Sequence, residues 1–197
     1  MSSYVFGLLL LPIGIAVGLS LPDLDTRVSF LVHRSIVTHG FIFPLLLYWG
    51  VHRKELALLR LPAIGFSLSV AAHLCFDLFP VAWIGYALIS VPMYGRTESL
   101  FSWLWIAGSI IFCLYLALLL VKNLGDVVVV AGSAVVSFGL CAATESVYWL
   151  PLAALGLAAF VALMLPSSSA GMARRLLKKF TSTHGDEQWT AEKPEQS

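Results

Sequence analysis

Residues 100–121, LFSWLWIAGSIIFCLYLALLLV, run without one charged side chain. A stretch of that length and hydropathy constrains a fold more than any motif does, because the hydrocarbon core of a bilayer takes about 20 apolar residues as a helix. The feature repeats along the chain. Residues 4–21, 127–143 and 147–165 are further runs of this kind, and 61–78 is another apolar run, one that contains His73 and Asp77. Residues 36–51 are shorter and reach span length if their helix starts near Arg34 or Ser35, which would draw His39 about one turn into the bilayer and leave Pro44 to kink the helix. Composition agrees: 59% of residues are hydrophobic and 12% charged, against roughly a quarter charged in soluble domains. The expected fold class is all-α, a polytopic membrane helix bundle of about six transmembrane spans.

The segment FPVAWIGYALISVPMYG, after the third run, is apolar but broken by Pro80, Gly85, Pro92 and Gly95. It reads as a re-entrant or interfacial segment, with Trp83 and Tyr86 at headgroup level. Residues 1–165 thus form the transmembrane domain. From 166 the chain turns to SSSAG, the basic ARRLLKKF and a polar tail, read as a cytoplasmic juxtamembrane segment on an anionic leaflet followed by a disordered end. MSSY has no basic residue, so the first run is read as a helix of the mature protein and not as a signal peptide.

Charge sets the topology. With six spans and the N-terminus inside, Arg53, Lys54, Arg60, Lys122, Arg174, Arg175, Lys178 and Lys179 face inward, and Arg27, Arg34 and Arg96 face outward. The excess of basic residues inside places both termini in the cytoplasm and the protein in the cytoplasmic (inner) membrane. A net charge of +1 offers no electrostatic footprint for nucleic acid. Cys75, Cys113 and Cys141 lie in apolar runs without CxxC spacing and read as small buried hydrophobes.

Against this background residues 21–40, LPDLDTRVSFLVHRSIVTHG, stand out. Asp23 and Asp25 follow the outer end of the first span, His33 and His39 lead into the second from the same side, and the third runs outward to Asp77. His73 and Asp77, four apart, share a helix face, with Cys75 pointing away. Taken singly, each residue has a plain reading: a turn, a cap, an interhelical hydrogen bond. Together, carboxylates and imidazoles clustered near lipid are expensive, since one ionisable group at the membrane centre costs at least ~2.5 kcal/mol. A divalent cation compensates the cluster directly. The expected ligands are Asp23, Asp25, His33, His39, His73 and Asp77. Zinc is the first choice of metal, with manganese or iron as alternatives. Such an ion lowers the pKa of a bound water to about 7. Asp23 or Asp25 then serves as general base, and Arg34 holds an anionic group of the substrate. Glu145, in the outer loop ATES, is a further candidate for proton transfer.

At these residues the chain resembles the YdjM-like family of inner-membrane proteins, assigned as metal-dependent hydrolases. Pro22-Asp23-Leu24-Asp25, then His33-Arg34 with Thr38-His39, then His73 and Asp77 followed by the Pro/Gly-rich segment carry the resemblance over residues 10–100. It implies a membrane-embedded, metal-dependent hydrolase acting on a lipid or amphiphilic substrate, with a phosphoester as one candidate linkage. The competing reading is a non-enzymatic transporter or assembly factor that uses the same cluster for ion relay or helix packing. A path across the membrane would need a second polar cluster on the inner side, and the interiors of spans four to six are expected to carry no charge. No HExxH, GxSxG or HxxxxD pattern supports other hydrolase or acyltransferase classes.

Overall fold

The computed structural model of the chain describes residues 3–26, 28, 34–54, 57–79, 88–143 and 147–165. Six helices follow in order: α1 (Ser3–Ser20), α2 (Ile42–Lys54), α3 (Arg60–Asp77), α4 (Ser99–Leu119), α5 (Leu124–Ala142) and α6 (Trp149–Met164). Short 3-10 turns occupy Pro22–Thr26 and Ala57–Leu59. Between α3 and α4, β1 (Ser90–Val91) and β2 (Gly95–Arg96) pair antiparallel in a minimal hairpin. Apart from this hairpin the regular structure of the described residues is helical, so the fold class is all-α as expected. Two helices, α4 and α5, are long and apolar enough to cross a membrane, and α1 and α6 are shorter apolar helices.

Local sequence explains where these helices begin. Pro44, Pro62 and Pro151 are each the third residue of their helix, where the absent N–H has no intrahelical partner to lose. Asn123 caps α5: its side chain accepts from the Asp126 N–H at 3.0 Å, and the Asp126 carboxylate accepts in return from the Asn123 N–H at 3.2 Å. This is a capping box.

Helix α3 is the axis of the bundle. It packs on α1, α4 and α5, touches α2 and α6, and buries most of its length from Arg60 to Cys75. Glycines bring α1 against it. A Cβ at Gly14 would run into the Pro62 carbonyl, and one at Gly18 would come 2.5 Å from the Phe66 carbonyl oxygen. The Gly-x-x-x-Gly spacing is what admits this backbone approach. Helix α5 meets α3 through polar groups: its buried residues are Asp126, Ser133 and Ser137, and Ser69 and Ser137 hydrogen-bond across the interface at 2.7 Å.

Three features depart from the sequence expectation. The second helix starts at Ile42 rather than near Arg34, because residues 34–41 spend their polar groups on tertiary partners. His39 therefore precedes the helix, and Pro44 opens it instead of kinking it. Part of the Pro/Gly-rich segment is the β1–β2 hairpin, turning through Met93 (φ 71°) and Gly95 (φ 89°); Trp83 and Tyr86 lie outside the described residues. Finally, Asp126 belongs to the first turn of α5 and is fully buried, paired with the Arg60 guanidinium. The charge lies at the N-terminal end of α5, one residue before the expected run, and the interiors of α4, α5 and α6 carry no charged residue. Glu145 and the basic tail from 166 are outside the described residues.

Candidate metal centre

Three chain segments meet at the C-terminal end of α3. The first is the 3-10 turn after α1, which carries Asp23 exposed and Asp25 buried. The second is the irregular stretch from Arg34 to Phe41. Arg34 takes φ 59°, a left-handed conformation uncommon for a residue with a side chain, and its carbonyl accepts from the Ser90 N–H at 2.8 Å. The Ser90 carbonyl accepts in turn from the Ile36 N–H at 2.9 Å. Ser35 thereby forms a parallel bridge to β1. The third segment is the last turn of α3, with His73 and Asp77.

Asp25 organises the second segment. Its Oδ2 accepts from the Ser35 N–H at 2.9 Å and from the Thr38 hydroxyl at 3.3 Å, and it faces His39 Nδ1 at 3.3 Å. The His39 backbone is held on both sides, donating to the Ser35 carbonyl at 2.8 Å and accepting from the Trp105 indole at 2.9 Å. The imidazole is 1% exposed, so its orientation is fixed by packing as well as by hydrogen bonds.

With Nδ1 turned to a carboxylate, the other ring nitrogen points at α3. His39 Nε2 lies 3.4 Å from Asp77 Oδ2, and His73 Nε2 lies 3.4 Å from the same oxygen. Asp77 Oδ2 is buried and takes no hydrogen bond among the described residues. The two rings stand edge to face, 6.3 Å apart at 76°. Ligand atoms of His39, His73 and Asp77 all fall within 4.8 Å of one another, a group able to hold a metal ion. Two imidazoles and one carboxylate make a common three-residue zinc set, and tetrahedral bonds of ~2.0–2.1 Å place neighbouring ligand atoms ~3.3–3.4 Å apart. The observed spacing to Asp77 fits. Asp25 behind His39 Nδ1 matches the carboxylate partner that fixes the tautomer of metal-binding histidines.

The other expected residues sit around this core. Asp23 Oδ1 is 3.8 Å from His73 Nε2, on a side chain that is 61% exposed. The Arg34 guanidinium is 3.7 Å from Asp77 Oδ1 and mostly buried. His33 lies outside the described residues. The sequence reading named Thr38 only as part of a motif and passed over Ser35 and Trp105; all three hold His39. The S-x-x-T-H pattern, with two hydroxyl residues just before the histidine, is the signal of side-chain to backbone bonding that competes with helix. Comparison of the chain with protein-family models, curated proteins and solved structures finds no match.

Proposed function

We propose that the protein is a membrane-embedded metal-dependent hydrolase of six spans, with both termini in the cytoplasm and its site at the outer face of the cytoplasmic membrane. The observation that carries this reading is the buried Asp77 Oδ2 at 3.4 Å from two imidazole nitrogens, an arrangement that a divalent cation stabilises and that apolar burial alone opposes. The membrane part is supported by α5, where only 22% of an apolar window of mean hydropathy 2.0 is buried in the fold. So much apolar surface on one helix calls for lipid.

His39, His73 and Asp77 hold the ion, zinc first by the chemistry of the set. Bound there, it supplies Lewis acidity and lowers the pKa of a coordinated water. Asp25 fixes His39. Asp23, half in solvent beside His73, is the group placed to accept a proton, and Arg34 orients an anionic substrate group next to Asp77. The resemblance to the YdjM-like family agrees with this assignment. Elemental analysis of detergent-purified protein, paired with assays on amphiphilic esters and phosphoesters, tests it. Near-stoichiometric metal and hydrolysis, both lost in His73→Ala, are expected; wild-type protein that binds no metal after reloading sinks the proposal.

A further inference from the structure

The outer ends of α1, α2 and α3 lead to the candidate centre, and a single apolar groove of about 540 Å³ opens between these same three helices. Ile13 and Val17 of α1, Phe43 and Leu46 of α2, and Pro62 and Phe66 of α3 line it, and no charged residue does. Its size falls in the range of ligand sites. Phe43 follows His39 by four residues, Val17 precedes Asp23 by six, and Phe66 precedes His73 by seven. Along α3 the groove residue nearest the ligands, Phe66, lies about two helical turns, ~10 Å, from His73, and the lining continues through Pro62 to Leu59, away from the site. Charge and polarity divide cleanly along this line. Carboxylates, imidazoles and Arg34 are at one end, with aliphatic and aromatic side chains beyond.

We propose that this groove takes one hydrocarbon chain of the substrate, so that an acyl-chain amphiphile lies along α3 with its polar linkage at His39, His73 and Asp77. This rests on the hydrolase reading and narrows it. The reacting bond is at the head of the chain, ~10 Å from Phe66 along α3, and not within the tail. The occupant enters sideways from the bilayer, since Ile13, Val17 and Leu46 are exposed at 58%, 49% and 57%.

Photo-crosslinking tests it. A phosphatidylglycerol bearing a diazirine at the end of one acyl chain is placed in nanodiscs with full-length protein, and labelled residues are mapped by mass spectrometry beside metal content. Labelling of Leu10 and Leu59 at least fivefold above Val135 and Leu157, exposed apolar residues of α5 and α6, is expected. Filling the groove with Ile13→Trp and Leu46→Trp, or with Leu46→Trp alone, should cut that labelling at least fivefold while metal content stays at the wild-type level. Groove labelling no higher than that of α5 and α6, or unchanged by tryptophan in a variant that keeps its metal, overturns the groove. Groove labelling in wild-type protein that holds no metal overturns the hydrolase reading, and with it the chain's status as substrate. The two failures are thus separate.

Discussion

The two ends of α3 each bury charge, and they do so differently. At the N-terminal end one carboxylate oxygen, Asp126 Oδ2, receives the Arg60 guanidinium, the Lys122 N–H at 2.7 Å and the Asn123 N–H at 3.2 Å, and Arg60 also donates to the Leu120 carbonyl at 3.1 Å. Donors meet acceptors at contact distance, tying α3 to the α4–α5 connection. At the C-terminal end, ~25 Å away, Asp77 Oδ2 faces two ring nitrogens at 3.4 Å and takes no hydrogen bond among the described residues. The N-terminal pair is a clamp centred on Asp126 Oδ2, with Asp126 Oδ1 buried and taking no hydrogen bond among the described residues. The C-terminal group is spaced as ligands around a point. Neither buried charge nor one unsatisfied oxygen marks a functional site; a guanidinium at hydrogen-bond distance on the carboxylate separates the first case from the second.

Four experiments sharpen or break this contrast. Asp77→Ala should have the largest effect, taking bound metal from near-stoichiometric to background by elemental analysis while the unfolding midpoint of metal-free protein stays near wild type. Asp126→Ala should do the reverse. It strands the Arg60 charge, a loss of about 3–5 kcal/mol for a broken buried pair, read as a lowered denaturation midpoint in detergent with metal stoichiometry intact in the folded fraction. If Asp126→Ala removed metal while leaving stability unchanged, the distinction between clamp and site would collapse.

Asp25→Asn is a gentler probe. An amide oxygen still accepts from the Ser35 N–H but no longer balances a ligating imidazole, so metal affinity should fall by about 10–100-fold in competition with a chelator. No change would make Asp25 a loop fastener only. The smallest effect belongs to the Ser69–Ser137 bond between α3 and α5. A double-mutant cycle to alanine should give a coupling near 0.6 kcal/mol, the average for interhelical hydrogen bonds within membranes.

Much of the candidate site was legible in the sequence. The four-residue spacing of His73 and Asp77 required a shared helix face, and the alternating direction expected of the apolar runs put His39 at the same end, where the fold brings the three together. The role of Asp25 was not legible, because it depends on the backbone between Arg34 and Phe41 leaving the helix. An apolar run extended backwards predicts helix there. The hydroxyls of Ser35 and Thr38 and the bridge to Ser90 override it. Asp126 was missed for the opposite reason. Counting the fifth run from its first valine put this aspartate in a loop, whereas Asn123-Leu124-Gly125-Asp126 carries the spacing of a capping box. Arg60 was read only as an inward-facing charge, and its pairing needed the tertiary fold.

The indole of Trp105 bears on how the protein is made. The candidate ligands are complete in the chain by Asp77, yet the His39 carbonyl is held by a residue of α4 and its loop is stitched to Ser90. During synthesis the coordinating side chains therefore leave the ribosome before their fastenings do. The centre matures late, when the fourth helix has packed on the third, and a nascent chain halted after α3 displays all the described candidate ligands without the geometry to use them.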